Sequence, residues 1–312
     1  MIYVSHRLDE IFQIADRAAV LRDGEMVGIR NVGHTTPEEL VNLIVGRKSR
    51  EITLPALSDN PPVLQLNNFE TDRVNRRNLT LKAGEVLGLV GLRGAGHEDI
   101  GRALYGLAEH TGQVTLDGEP VELSSPSTAM DLGIGYVAGD RIVESIAASL
   151  SICENTFINP LVRSRRPLQL QRNSVERADA MKLGERVGLS PNDPTLAIEA
   201  LSGGNQQKVV VGRWLDTGRK VLITEDPTAG VDVGAKAEIY QLLFDATLSG
   251  LGVLVVSTDF EEVASVCQRA LVFSRGQCVA TLSGVDLSTQ NLIQKASAGE
   301  AHEQEENTHA VD

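Results

Sequence analysis

The sequence predicts an α/β fold with a mainly parallel sheet flanked by helices, and three observations carry that prediction. KVLITED (220–226) and GVLVVSTD (252–259) are short apolar runs ending in polar residues, the pattern of buried parallel strands whose carboxyl ends carry a site. The apolar run EVLGLV (85–90) enters a glycine loop, GLRGAGHED (91–99), and EDIGRALYG (98–106) suits a helix directly after it. Helical and strand patterns then alternate along the rest of the chain.

In chain order, MIYVSH (1–6) reads as a short buried strand and RLDEIFQIADR (7–17) as a helix with Leu8, Ile11 and Ala15 on one face. AAVLRDGEMVGIR (18–30) reads as two strands around a turn at Asp23-Gly24, and TTPEELVNLIVG (35–46) as a helix with Thr36 as N-cap and Pro37 at its first position. The same plan returns near the other end. Sliding the chain by 252 positions without a gap places Ser5 on Ser257, Glu10 on Glu262, Arg17 on Arg269, Val20 on Val272, Gly24 on Gly276 and Leu40 on Leu292. Residues 1–46 therefore read as the last segment of a first copy, too short to bury a good core alone. Residues 47–62 are polar and proline-containing and read as a linker. A complete second copy spans 63–298, opening with the strands VLQLNNF and RNLTLKAGEVLGLVG, with a helical insertion around 140–200. The tail 299–312 has almost no apolar residues and is expected to be disordered.

Composition bounds the function. Hydrophobic content of 42% is that of an ordinary globular chain, and no apolar run approaches the roughly 20 residues needed to span a bilayer. The first ten residues lack the basic and apolar segments of a secretory signal. Cys153, Cys267 and Cys278 show no metal-ligand spacing, and so sparse a set suits a reducing cytosol. A net charge of −13, from 29 basic and 42 acidic residues, argues against a nucleic-acid surface.

The glycine loop keeps the phosphate-binding spacing from Gly91 to Gly96, with Gly94 between them. Backbone N–H groups and a helix N-terminus can hold an anion there without any side chain. The two positions that follow ordinarily carry a lysine for the outer phosphates and a hydroxyl for Mg²⁺. Here they are His97, shorter and mostly neutral at pH 7, and Glu98, which brings a negative charge. ALSGGNQQKVVVGRWL (200–215) is a second anion-friendly turn, with Ser202, Gly203 and Gly204 opening a helix that also carries Gln206.

LSGGNQQKV and PTAGVDVGAKAEIYQLL are long, specific strings. Through them the chain resembles the ATP-binding subunits of bacterial monosaccharide ABC importers of the ribose, galactose and xylose type. That resemblance covers nearly the whole chain and implies an ABC-type P-loop nucleotide-binding domain with an antiparallel β subdomain and a helical subdomain. It implies ATP and Mg²⁺ as ligands and a second nucleotide-binding domain as partner. Each ATP in such families lies between the glycine loop of one domain and the signature turn of the other. It also implies membrane permease subunits, indirectly a periplasmic sugar-binding protein, and a cytoplasmic location on the inner face of the membrane.

The same resemblance assigns the remaining residues. In KVLITEDPTAGVD the family has Asp-Glu where this chain has Glu225-Asp226, ahead of Pro227 and Thr228. Glu225 then stands where Mg²⁺ is held through water, and Asp226 where the attacking water is polarised. Their lengths are exchanged, and a shift of about 1 Å can cost about 10²-fold in rate. Asp232 falls in the loop that crosses the domain interface. Asp140 and Arg141, after Gly139 in YVAGDR, fall in the loop that reports to the membrane subunit. Thr258 replaces the histidine that senses the outer phosphate, whereas the first segment keeps that histidine as His6. Phe69 is the only nearby candidate for an adenine-stacking aromatic, and a phenylalanine there is more often just a core residue. His97, Glu98, the Glu225-Asp226 order and Thr258 together predict little or no hydrolysis at this domain's own site. Two readings follow: an importer subunit that supplies its signature turn to a partner's ATP, or a non-catalytic remnant or regulatory module.

Overall fold

The computed structural model describes residues 1–5, 8–22, 25–37, 39–40, 43, 59–158, 173–215 and 217–308. Two sheets form the body. Strands β8 (Ile134–Val137), β9 (Val221–Glu225), β10 (Gly252–Ser257), β5 (Val86–Gly91) and β11 (Arg269–Ser274) lie side by side and parallel, and β12 (Gln277–Ser283) closes one edge antiparallel to β11. Strands β5, β8, β9 and β10 are buried along their whole length. That is why they read as continuous apolar runs. The second sheet is antiparallel, in the order β4 (Arg77–Lys82), β3 (Pro62–Glu70), β6 (Thr111–Leu116), β7 (Glu119–Val121). Here β3 and β4 alternate buried with more exposed positions, because only one face meets the core.

Helices flank the parallel sheet: α2 (His97–Leu104), α3 (Pro126–Asp131), α6 (Gly203–Leu215), α7 (Val233–Thr247), α8 (Phe260–Val266) and α9 (Thr289–Thr308). The insertion contributes α4 (Ile152–Thr156) and α5 (Asn173–Arg186). Ile152, Val187, Leu189, Ile198, Leu201 and Val209 form a small core of their own there, so α6 is shared between the insertion and the body. Ser151 caps α4 with a full capping box to Glu154.

The internal repeat survives at the level of elements. Helix α1 (Leu8–Ile14), β1 (Arg17–Arg22) and β2 (Glu25–Asn31) match α8, β11 and β12 at the same 252-residue offset, end for end. Both hairpins shift register at equivalent points, after Val20 and after Val272. Ser5 donates to Glu10 at 2.5 Å and Ser257 to Glu262 at 2.7 Å, so the paired residues keep the same hydrogen bond. Thr36 accepts from the Glu39 N–H, and helix begins at Pro37.

Some expectations need correction, and others fall outside the described residues. Residues 1–5 form no strand, and Ile2 and Val4 are 94% and 90% exposed. A buried parallel strand needs neighbours on both sides, and the small sheet beside it holds only β1 and β2. Helix α9 runs on to Thr308, into the segment 299–312 that the composition marks as a disordered tail. Its Ala, Glu and Gln residues are good helix formers that need no apolar face to extend an existing helix. Residues 309–312, His6, the Asp23-Gly24 turn and most of the linker (47–58) lie outside the described residues.

Candidate functional site

Strand β5 delivers Gly91 into the loop, and α2 leaves it at His97. Gly94 and Gly96 sit at φ +83° and +97°, a region that L side chains rarely adopt. A Cβ on Gly96 would also stand 2.5 Å from the Arg73 carbonyl oxygen. The loop is thus shaped by backbone packing.

His97 is fully buried, and its Nε2 lies 3.1 Å from the Ser257 carbonyl oxygen at the end of β10. A carbonyl only accepts, so Nε2 carries the hydrogen and the lone pair of the neutral ring falls on Nδ1. Burial pushes the His97 pKa down, against the pull of Glu98. Glu98 turns back over the loop and accepts from the Gly94 N–H at 3.1 Å. Partial burial opposes its charge, but the N–H groups of Glu98 and Gly94 and the Arg73 guanidinium hold its carboxyl below the ordinary value.

The ends of β9 and β10 carry the acidic groups. Glu225 is buried, and burial pushes its carboxyl up. Its Oε2 lies 3.5 Å from the Arg102 guanidinium, which also donates to Glu144 at 2.9 Å. Asp226 sits at φ +37°, and its Oδ1 accepts from the Thr258 N–H at 2.9 Å and lies 2.8 Å from the Ser257 hydroxyl, whose single hydrogen is shared with Glu262. Thr258 therefore contributes a backbone donor. Glu262 reaches in from α8 and accepts from the Thr228 N–H, the Thr228 and Ser257 hydroxyls and Tyr240. It ties the strand end of β10 to the turn after β9.

The signature turn is a separate construction. Ser202 is exposed and accepts from the Asn205 side chain, while Gly203 and Gly204 open α6. Gln206 turns inward, donating to the carbonyls of Ile198 and Leu201. Arg141 joins three functional segments: it donates to Ala229 O at 2.8 Å, Gly230 O at 3.5 Å and Gln206 Oε1 at 3.3 Å. Its guanidinium fills the space beside Gly203, where a Cβ would stand 2.5 Å away. Asp140 caps the π-helical turn Arg141–Ser145, and Asp232 caps α7.

Sequence reasoning missed Arg102, Glu144 and Glu262. The pairing of Arg102 and Glu144 is across 42 residues, so no local spacing announces it. Of the two readings of Phe69 the structure favours the core one: it is 1% exposed and stacks on His110 at 4.8 Å.

The sequence profile of the family described as "ABC transporter" matches residues 74–229, half of the chain, from just before the glycine loop through the turn after β9. The chain belongs to the ABC transporter family. Among relatives of this cassette, the ribose import ATP-binding protein RbsA 2 of Burkholderia ambifaria is 38% identical over 96% of the chain and 60% of its own length. The ribose import ATP-binding protein RbsA 1 of Agrobacterium fabrum is 34% identical over 95% of the chain and 59% of its own length. The chain thus spans about three-fifths of these relatives. In architecture the cassette is similar to an ABC transporter ATP-binding cassette in its ADP conformation (TM-score 0.64, 20% identity, 78% of this chain and 99% of that one). It is similar also to cbiO1 from Clostridium perfringens (TM-score 0.61, 20% identity, 78% and 99%).

The family implies MgATP, and the residues present at this cassette's own loop do not fit it. The Gly94 N–H is taken by a carboxylate, and the His97 lone pair lies toward Glu98 where a lysine would bring a charge. Glu225 faces Arg102, and Asp226 is engaged with the end of β10. Among the described residues no group of three or more His, Cys, Asp or Glu is arranged to hold a metal ion.

Proposed function

We propose that the chain works in the energy-coupling ATP-binding subunit of a carbohydrate importer, where this cassette supplies its signature turn to ATP held by a partner cassette. The observation that carries the reading is the contrast between its two anion sites. The turn at Ser202–Gly204 is exposed at Ser202 and braced by Arg141 and Gln206, whereas the glycine loop is engaged by its own side chains. The names of the relatives supply the substrate class. ATP and Mg²⁺ are the ligands of the composite site, and hydrolysis belongs to the partner's residues. The permease would meet the cassette beside Asp140 and Arg141, where Ile142 and Val143 stand 55% and 78% exposed. Exposed apolar side chains in a row suit a protein interface. No described helix is long and apolar enough to cross a membrane. Attachment to the inner face of the membrane would come through the permease, and a periplasmic binding protein would deliver the sugar.

The test mixes the purified chain with an intact cassette from the first half of such a relative and follows ATP hydrolysis. Stimulation that is lost with Ser202→Arg is the expected result. A second reading, a regulatory module without transport activity, is favoured by the engagement of Glu98 and Arg102 at its own site. No stimulation, with the variant and the natural chain alike, would leave that reading standing and remove the first.

A further inference from the structure

We infer that Glu98 is a built-in occupant of the glycine loop: its carboxylate takes the place of the nucleotide phosphate, so the loop is held in its binding shape and closed to triphosphate. This rests on reading the loop as a phosphate cradle and deepens that reading by naming what fills it.

Three observations converge. The first is the hydrogen bond from the Gly94 N–H, inside the glycine loop, to Glu98 Oε1 at 3.1 Å. An anion at the N-terminus of α2 gains from the helix dipole whether it comes from a ligand or from the chain. The second is that the other carboxylate oxygen, Oε2, is shut away from solvent without a hydrogen-bond partner. A glutamate placed only for solubility would turn that oxygen to water, which is the cheaper state for a charged atom. The third is His97. It is fully buried, its Nε2 is committed to Ser257 O, and its Nδ1 has no hydrogen-bond partner and lies 3.5 Å from Glu98 Oε2. The ring therefore walls the carboxylate in and brings no cation to the loop.

The charge count explains the closure. A lysine and a hydroxyl at positions 97 and 98 would bring one positive charge to the loop; a neutral histidine and a glutamate bring one negative charge. An arriving phosphate must displace the carboxylate from Gly94 or sit against it, and like charges at a few ångströms repel strongly in a half-buried setting. The same logic holds at the neighbouring strand end, where Arg102 already faces Glu225. The two charges that MgATP would bring are both met from within the chain.

The experiment is calorimetric titration of the full chain and its Glu98→Ala variant with sodium tripolyphosphate and with MgATP. Amide resonances are followed in parallel. The natural chain is expected to bind neither, and its Gly94 amide to be slow to exchange without ligand. Glu98→Ala is expected to bind tripolyphosphate at least tenfold more tightly and to lose Gly94 protection until the anion is added. If Glu98→Ala does not fold, Glu98→Gln, which keeps size and acceptor but not charge, is read instead, and it must also gain affinity. Equal binding by the natural chain and the folded variant overturns the inference, as does no binding by a folded variant. Neither outcome bears on the signature turn, whose role is judged separately by stimulation of a partner cassette through Ser202.

Discussion

Gly204→Ala gives the sharpest test of how the signature turn is built. Gly204 lies in the first turn of α6, and a Cβ there would stand 2.4 Å from the Ala235 Cβ on α7 and 3.4 Å from Val231 Cγ1. Two methyl carbons rest at about 3.5–4.0 Å, so the helices must part by about 1–1.5 Å. Overpacking of that kind costs about 1–3 kcal/mol. Replacing glycine in a helix returns up to about 1 kcal/mol, less in the first turn. The net expectation is a loss of about 1–2 kcal/mol, seen as a lower urea midpoint at unchanged slope. Ala235→Gly removes the opposing methyl, so the double variant should be more stable than the two single losses predict, by about 1 kcal/mol or more. Strict additivity, or a Gly204→Ala chain as stable as the natural one, would refute the claim that close helix approach demands this glycine.

Three further outcomes follow from the same geometry. Burial raises the Tyr105 pKa to about 12, with Arg213 and Arg219 pulling the other way. The folded chain therefore holds this proton more tightly than the unfolded one. The resulting stability is complete below about pH 10 and declines as pH rises toward the folded value, by about 2–3 kcal/mol in all. Urea midpoints taken across that range should fall, and Tyr105→Phe should flatten the decline. Asn155 is fully buried, accepts from the Ala147 N–H and donates toward the carbonyls of Ala147, Leu150 and Ser151. Asn155→Ala should cost about 2–3 kcal/mol by denaturation, because the groups it leaves are hidden from water. Arg141→Lys keeps the charge but loses the planar fork. Hydrogen exchange should quicken at 203–206 and 229–232 while global stability shifts by less than about 1 kcal/mol.

The parallel strands were legible because burial on both faces leaves an unbroken apolar run, as in VLGLV and VLVV. The repeat was legible too, and the structure extends it from matching letters to matching helix ends, a shared register shift and a shared Ser–Glu hydrogen bond. MIYVSH differs for a physical reason: its apolar residues fit a strand, but a strand is a relation between chain segments, and among the described residues none pairs with it. In sequence the place of Phe69 stays open between ligand and core, because an aromatic near a loop looks the same whether it faces a ligand or His110.

By itself, the sequence determined the α/β class, the order of elements, the two glycine turns and the departures at His97, Glu98, Glu225 and Asp226. Those are properties of residue type and spacing. Only the tertiary structure decided what the departures touch. It turned Glu98 back onto Gly94, brought Arg102 to Glu225 across 123 residues, and set Arg141 between Gln206 and the turn at Ala229–Gly230. Hydrogen bonds and ion pairs depend on distances of a few ångströms between groups far apart in the chain, and no local pattern encodes those distances.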